Sequence, residues 1–194
     1  MDIKRVALAC VFATASLGVM ADQPSYTYVE GGYLRMDPDD ISLDPTGYYL
    51  DGSIAIADNW FLRGGYSDVD DSKGGLKVEA ESVDLGVGYK QGLGANSSFH
   101  LVASYLEGEV TARGYGSRAK VDDDGFALTA GLRSHVLANL ELNADVSYVD
   151  VDDSGVDFGV GAVWYFVPNI GLSLNLNVDD DSNSSFGAGV RLSF

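Results

Sequence analysis

Large apolar residues alternate with small or polar residues at the end of the chain, over residues 186–194. One face of an extended strand there presents Phe186, Ala188, Val190, Leu192 and Phe194. A period of two is typical of a β-strand that has one apolar and one polar surface. The same alternation is clearest upstream over 83–90, 140–148 and 170–178, which predicts a chain built from such strands.

Ten alternating stretches of about 10 residues each are predicted, the length that crosses a bilayer at a tilt. They are Tyr26–Met36, Gly47–Ala57, Trp60–Val69, Ser82–Gln91, Phe99–Val110, Gly125–Val136, Leu140–Val149, Val156–Val167, Ile170–Val178 and Phe186–Phe194. An even number of strands lets an antiparallel sheet close with both termini on one side. Eight strands is the alternative, if one long loop hairpin around Lys73–Glu81 has been divided wrongly.

The connections between these stretches alternate in character. One set consists of turns, at Asp58-Asn59, Gln91–Ser98, Leu137–Asn139 and Pro168-Asn169. The other set is longer and acidic, at Asp37–Thr46, Asp70–Glu81, Thr111–Asp124, Asp150–Gly155 and Asp179–Ser185. If the strands run up and down, all the acidic connections lie at one end. This predicts an all-β, single up-and-down antiparallel transmembrane β-barrel with short periplasmic turns and longer acidic extracellular loops.

Aromatic residues concentrate near the two ends of the predicted strands. Those near the turns are Trp60, Phe61, Tyr89, Phe99, Trp164, Phe166 and Phe194, and those near the loops are Tyr33, Tyr48, Tyr66, Tyr105, Phe126, Tyr148, Phe158 and Phe186. Two aromatic rings around an aliphatic band match two membrane interfaces. The alternative is a water-soluble periplasmic barrel with its apolar side chains inside. We favour the transmembrane barrel, with the apolar face outward.

The N-terminus has the pattern of a secretory signal peptide. Lys4 and Arg5 precede an apolar stretch over 6–19, and small residues allow cleavage between Ala21 and Asp22. We therefore predict a signal peptide at 1–21 and a barrel domain at 22–194. A lipoprotein anchored at Cys10 is a weaker alternative, because the apolar stretch continues well past that cysteine.

The chain is strongly acidic. It carries 12 Lys and Arg against 29 Asp and Glu, and removing Asp2, Lys4 and Arg5 leaves 10 against 28, or −18. This charge excludes nucleic-acid binding by phosphate neutralisation. Cys10 is the only cysteine, so the predicted mature chain contains neither disulfides nor thiol chemistry.

The chain resembles the OmpA-like/OmpX-like family of small outer-membrane β-barrels in three features. They are the signal peptide, the alternation of strands with short turns and longer loops, and the Gly189–Phe194 ending. The resemblance implies the outer membrane of a Gram-negative bacterium as the location, reached by export through the periplasm. It implies Phe194 as the C-terminal assembly signal, read by the barrel-assembly machinery through the last strand. The other implied partners are outer-membrane lipid and lipopolysaccharide, and a monomer is expected.

With the polar face inward, the lumen receives a set of charged side chains. The predicted lumen charge network consists of Glu30, Asp51, Arg63, Asp84, Arg133, Glu141, Asp145 and Arg191. The strand order places Arg63 between the strands of Asp51 and Asp84, and Arg191 next to Glu30. Arg133 neighbours the strand that carries Glu141 and Asp145. Pairing is expected because an unpaired charge in a confined interior is costly.

Candidate chemistry is sparse. His100 and His135 face inward near the turn end, and with Glu141 they form only a weak candidate for a metal site. The chain contains no Gly-x-Ser-x-Gly and no His-Glu-x-x-His motif. We therefore predict no enzyme, no cofactor and no metal.

Aspartates crowd the predicted loop end, at Asp68/Asp70/Asp71, Asp122–Asp124, Asp150/Asp152/Asp153 and Asp179–Asp181. The segment Asp150–Gly155 resembles half of a calcium loop, but Gly161 stands where the bidentate glutamate is needed. Solvated loops are the favoured interpretation. Weak binding of divalent cations by these loops, bridging to lipopolysaccharide phosphates, is the alternative.

Two functions from different classes follow from this sequence. The first is a structural or surface-interaction role, in envelope integrity or adhesion, with a lumen filled by Arg–carboxylate pairs. The second is a small porin-like channel, whose negative mouth favours cations. The occupancy of the lumen distinguishes them, because a filled interior favours the first and an open path the second.

Overall fold

A computed structural model of the protein describes residues 23–38, 43–114, 117–151 and 153–194. Within these ranges, no helix is long and apolar enough to cross a membrane. The ten strands are β1 (Tyr28–Asp37), β2 (Thr46–Ala55), β3 (Trp60–Lys73), β4 (Leu76–Gly92), β5 (Ser97–Gly114), β6 (Ser117–Leu137), β7 (Leu140–Val151), β8 (Asp153–Val167), β9 (Ile170–Asp179) and β10 (Ser184–Ser193).

The strands form one closed barrel. Each pairs antiparallel with its sequence neighbours, and β1 closes the ring against β10, from Tyr28 opposite Ser193 to Asp37 opposite Ser184. The predicted up-and-down barrel of ten strands is confirmed, and the eight-stranded alternative is wrong. Closure matters in a membrane because it leaves no strand edge with unpaired backbone groups.

The two faces of the barrel have opposite polarity across the middle of the strands. Outward-facing leucines such as Leu85 on β4 and Leu174 on β9 are exposed, whereas Glu30, Glu141 and Arg191 are buried at the centre. The expected orientation, with the apolar face outward, is therefore confirmed. A water-soluble barrel with an apolar centre is excluded, because apolar side chains form the outer surface.

Aromatic pairs mark both rims of this apolar band. At the loop end, the rings of Tyr48 and Tyr66 lie 6.1 Å apart, and those of Phe126 and Tyr148 lie 6.4 Å apart. At the turn end, Trp60 and Tyr89 lie 5.4 Å apart, and Trp164 contacts Phe166 at 6.4 Å. Amphipathic rings at two levels are the arrangement that anchors a barrel at two membrane interfaces.

The segments that were predicted as acidic loops over 70–81 and 111–124 are mostly strand in the structure. β3 and β4 continue to a turn at Gly74-Gly75, where both glycines have positive φ angles of 63° and 86°. β5 extends to Gly114, and β6 begins again at Ser117. Strands β3 to β6 therefore extend well beyond the aromatic residues at the loop end. We call this projecting part of the sheet the tall wall.

The alternation of side chains continues into the tall wall, but its polarity is inverted. Glu107 and Glu109 share the outward face of Tyr105, and Val110 shares the inward face of Leu106, which lines the lumen. Outside the membrane the outward face meets water and must be polar, so charges replace the apolar residues there. The sequence interpretation required apolar residues on the outward face and therefore ended the strands too early.

This inversion gives a test of which apolar side chains meet lipid. Leu174 and Val121 are almost equally exposed, at 52% and 55%, but only Leu174 lies on the outward face inside the apolar band. We expect Leu174→Arg to lower the free energy of unfolding by about 2–4 kcal/mol. Val121→Arg, in the tall wall, should change it by less than about 0.5 kcal/mol. Urea titration of both variants in phosphatidylcholine vesicles measures the difference, and equal losses would contradict the assignment.

Candidate functional site

A cluster of four buried charged side chains lies in the turn-end half of the lumen. Arg191 Nε donates to Glu30 Oε2 at 2.6 Å, across the seam where β10 meets β1. Arg133 Nε donates to Glu141 Oε1 at 2.7 Å, and Arg191 Nη1 reaches the same oxygen at 3.4 Å. We call Glu30, Arg133, Glu141 and Arg191 the lumen cluster. Two arginines and two carboxylates balance in charge, which a buried site requires.

The register of the strands places these four side chains at one level. Glu30 lies directly opposite Arg191 in the β1–β10 pair, while Arg133 and Glu141 come from the β6–β7 hairpin on another side of the barrel. Arg191 bonds to both carboxylates, so it links the seam to that hairpin. A planar guanidinium with several donors is suited to this bridging role.

Neutral side chains complete the hydrogen bonding of the lumen cluster. Tyr49 donates to Glu30 Oε1 at 2.7 Å, and Asn175 Nδ2 donates to the same oxygen at 3.0 Å. Tyr165 donates to Glu141 Oε2 at 3.2 Å. The Arg191 guanidinium also lies 4.2 Å from the ring centroid of Tyr28, a cation–π contact. Each carboxylate thus accepts from several donors, as a buried anion requires.

The residues before β1 cross the turn end of the barrel, and we call Gln23–Thr27 the strap. Gln23 Nε2 donates to the carbonyl of Gly94 in the β4–β5 turn at 2.9 Å. Ser25 Oγ donates to the Phe194 carbonyl at 2.9 Å, while the Ser25 carbonyl accepts from Arg133 Nη1 at 2.8 Å. The strap is therefore fastened to opposite sides of the ring and to the lumen cluster.

Tyr26 is the centre of the strap. Its ring packs 4.6 Å from Phe61 and is buried with it, and its hydroxyl lies 3.0 Å from Ser98 Oγ and 3.2 Å from His100 Nδ1. The Arg133 guanidinium lies 4.6 Å from the Tyr26 ring centroid. Between them, the lumen cluster and the strap occupy the turn-end half of the lumen.

The loop-end half of the lumen is hollow. A cavity of about 420 Å³ lies above the lumen cluster, and its charged lining includes Asp51, Arg63, Asp84, Asp145 and Asp157. Carboxylates outnumber arginines here, so the cavity has a negative character. The lumen as a whole is a cup, with buried charged side chains at the turn end and this cavity at the loop end.

The structure brings some of the predicted network residues together and separates others. Glu30 meets Arg191 and Arg133 meets Glu141, as described above. Arg63 lies 3.7 Å from Asp84, a long ion pair between partly exposed side chains. Asp51 lines the cavity, and no ion pair of Asp51 is found within the described residues. Asp145 pairs with His100 Nε2 at 2.9 Å rather than with Arg133.

The other predicted sites are placed as follows. The backbone N–H of Phe194 donates to the Thr27 carbonyl at 2.9 Å, which ties the chain end to the strap. Ala21, Asp22 and Cys10 lie outside the described residues, as does Asp152. In the aspartate groups at the rim, Asp71 accepts from the Asp44 N–H and Asp179 from the Asn183 N–H, at 2.9 and 2.8 Å.

The two histidines contact different carboxylates. His100 pairs with Asp145, whereas His135 Nε2 lies 3.7 Å from Glu141 Oε2. Across the part of the chain that the structure describes, no group of three or more His, Cys, Asp or Glu side chains is arranged to hold a metal ion.

Sequence reasoning missed the strap. Tyr26 was predicted as the first residue of a strand because it fits the alternation of β1, but β1 begins at Tyr28. The available signal was the polar Gln23-Pro24-Ser25 sequence ahead of it, in which proline and serine favour an irregular segment over a strand.

Comparison with known proteins identifies the type of barrel. The sequence matches the model of the outer membrane protein beta-barrel domain family over residues 7–194. The chain belongs to this family. It is therefore an outer-membrane β-barrel protein, as the sequence predicts. A search of curated proteins finds no match.

Several solved structures are similar to this chain at low sequence identity. The translocator domain of the autotransporter NalP from Neisseria meningitidis is 12% identical with a TM-score of 0.50, over 88% of this chain and 90% of that chain. Ail, the attachment invasion locus protein of Yersinia pestis, is 17% identical with a TM-score of 0.48, over 87% and 99%. The KdgM porin is 13% identical with a TM-score of 0.46, over 86% and 99%.

The lumen cluster predicts a large effect of a single amide substitution. Glu141→Gln keeps the size of the side chain but leaves two buried arginines with one carboxylate, and we expect a loss of about 3–5 kcal/mol in the free energy of unfolding. Asp84→Asn removes a partner from the long, partly exposed pair with Arg63 and should cost about 1 kcal/mol or less. Urea unfolding in lipid vesicles compares the two. Similar losses of unfolding free energy in the two variants would contradict the larger contribution that we assign to the buried cluster.

Proposed function

We propose that this protein is a closed outer-membrane barrel of a Gram-negative bacterium, with a structural or surface-interaction role rather than a role in conduction. The observation that carries the proposal is the filled turn-end half of the lumen. Four buried charges bonded to one another, with Tyr26 packed beside them, leave little room for water or solutes to pass. We further propose that the chain reaches the membrane by export through the periplasm, after loss of residues 1–21.

The surface-interaction part of the proposal is supported by the extracellular end. The tall wall carries charged side chains on its outward face, directly above the lipid-facing surface of the same strands. Outer-membrane lipid and lipopolysaccharide are therefore the proposed neighbours of this face. Phe194, directly after the last strand, is proposed as the residue that the barrel-assembly machinery reads.

A small cation-favouring channel is the second candidate, and one observation favours it. The cavity at the loop end has an excess of carboxylates, which attract cations to its mouth. Conduction by this route requires the strap to leave the turn end. The two functions therefore differ in whether the strap and the lumen cluster block the turn end of the lumen.

Conductance in planar bilayers tests the proposal. We expect the refolded protein, checked first by heat-modifiable gel migration, to show no steady conductance in potassium chloride. Tyr26→Ala combined with Arg133→Ala should open a path and give channels, because both changes remove side chains that fill the turn end. Tyr33→Ala, which truncates an exposed outward tyrosine, is the matched control and should stay closed. Steady cation-selective conductance of the unmodified protein would reject the closed barrel in favour of the channel.

The assembly role of Phe194 has its own test. Deleting Phe194 should lower the amount of folded barrel in cell outer membranes while leaving refolding of the purified protein in vesicles almost unchanged. The comparison separates recognition from stability, because only the cellular route uses the assembly machinery. An equal loss in both settings would indicate that Phe194 acts through packing alone.

A further inference from the structure

Two carboxylates meet above a glycine in the wall of the lumen cavity. Gly65 on β3 lies directly opposite Asp51 on β2 and opposite Asp84 on β4, so the three residues form a row across adjacent strands. A Cβ atom added to Gly65 would collide with Asp84 Oδ1 and would lie 2.8 Å from Asp51 Oδ1. Both carboxylates therefore converge on one point, and we call them the aspartate pair. Like charges in such proximity repel unless a cation lies between them.

The counter-charge for the aspartate pair is shared with a third carboxylate. The Arg63 guanidinium lies 3.7 Å from Asp84 Oδ2 and interacts electrostatically with Asp51 and Asp145 as well. One positive charge therefore faces three negative charges. The other arginine that lines the cavity, Arg191, is already bonded to both carboxylates of the lumen cluster. The aspartate pair thus retains an excess of negative charge.

The lining of the cavity as a whole is also negative. Five carboxylates face two arginines, and these carboxylates belong to Glu30, Asp51, Asp84, Asp145 and Asp157. Protonation of His100, which pairs with Asp145, would raise the number of cations only to three. A cleft lined mainly by one sign of charge concentrates ligands of the opposite sign. The cavity therefore favours a cationic ligand.

The inner face of the tall wall, above the cavity, is apolar. Four residues lie directly opposite one another in a row across β3 to β6, and we call them the apolar row: Val69, Ala80, Val110 and Val121. Val69 is buried, but Val110 and Val121 are 46% and 55% exposed. This part of the sheet lies outside the membrane, where exposed apolar side chains favour a bound partner.

A groove along β5 joins the aspartate pair to the apolar row. Leu106 lines the cavity directly opposite Asp84, and Val110 follows four residues later on the same face, about 13 Å along the strand. Gly108 lies between them, and a Cβ atom there would meet no atom closer than 4.0 Å. Beside Gly108, Asp123 adds another inward carboxylate. An elongated cation can therefore extend from the carboxylates to the valines without displacing a side chain.

We propose that the cavity binds a small organic cation with an apolar tail, of the alkylammonium class. The ammonium group binds between Asp51 and Asp84 and supplies the positive charge that Arg63 alone does not provide. The tail follows β5 and packs against Val110 and Val121. A metal ion is a poorer match, because no three carboxylate or histidine side chains within the described ranges are arranged to hold one.

This inference goes beyond the closed-barrel proposal and does not depend on it. The cavity lies above the lumen cluster, so a ligand reaches it from the loop end whether or not the turn end is blocked. Binding to the cavity is measured as an affinity, whereas closure of the barrel is measured as a conductance. A failure of one proposal is therefore distinguishable from a failure of the other.

Titration calorimetry with the full barrel in dodecyl maltoside micelles tests the site, with hexylammonium as the probe. Protein-free micelles supply the blank for partitioning of the probe into detergent. We expect saturable binding at low salt that weakens as salt is added, because salt screens the ionic contact. Methylammonium has the charge without the tail, and hexanol has the tail without the charge. Each should bind at least about tenfold more weakly than hexylammonium.

Variants assign the two ends of the ligand separately. Asp51→Asn should weaken hexylammonium binding about tenfold, because one of the two carboxylates that face the ammonium is lost. Val110→Ser combined with Val121→Ser should remove most of the advantage of hexylammonium over methylammonium, while methylammonium binding stays unchanged. Asp122→Asn is the matched control, since it makes the same change in charge on the outward face, where Asp122 pairs with Lys120. It should leave affinity within about twofold.

Several results would overturn the inference. They are the absence of binding at low salt, equal affinities for methylammonium and hexylammonium, and equal losses in Asp51→Asn and Asp122→Asn. Tighter binding of the diammonium with the same six-carbon chain would reject the apolar row, since a second charge would then be accepted beside the valines. Heat-modifiable migration confirms that each variant is folded, and the series of ligands tests the unmodified protein without any variant.

Discussion

The structure depends on one constraint: an ionised side chain on the inner face must find its counter-charge inside the barrel, because the opposite face meets hydrocarbon. The lumen cluster satisfies this constraint at the seam, where Arg191 on the last strand bonds to Glu30 on the first. A shift of one residue in the seam would turn these side chains toward lipid. In other proteins, replacement of a whole buried ion cluster by apolar residues can be neutral or stabilising, whereas removal of one member is strongly destabilising, so the members depend on one another.

The tall wall shows that polarity and periodicity are separate properties of a strand. The period of two persists from Phe99 to Arg113 on β5, but the outward residues change from apolar to charged above Tyr105. The backbone geometry is the same on both sides of this boundary. The surrounding solvent decides which face is apolar, and the sequence records the change as an inversion of the pattern.

Much of the architecture was predictable from the sequence because bilayer and lumen impose the same alternation on every strand. The number of strands, the orientation of the faces and the proximity of Arg191 to Glu30 follow from that alternation and from strand order. The extent of β3 to β6 did not follow, because Glu79 or Asp122 looks like a loop residue when the outward face is assumed to be apolar. The pairing of Asp145 with His100 was also missed, since it depends on the depth of side chains in the lumen.

The strap could not be found from periodicity, because irregular segments carry no repeating signal and the contacts of Tyr26 lie far away in sequence. Its burial against Phe61 and His100 depends on the width of the finished ring. The same holds for the contacts that Glu141 makes with Tyr165 and Arg191, which lie on other strands. The local sequence pattern identifies a strand. Which side chains meet inside the lumen depends on the positions of all the strands together.

The strands differ in length, so the loop-end opening of the barrel is asymmetric. β1, β2, β9 and β10 are ten residues long each, while β4, β5 and β6 have 17, 18 and 21 residues. Among the described residues, the strands opposite the seam therefore extend farther from the membrane than those beside it. A solute that entered the carboxylate-lined cup over the short strands would face the inner valines of that taller side, such as Val110 and Val121.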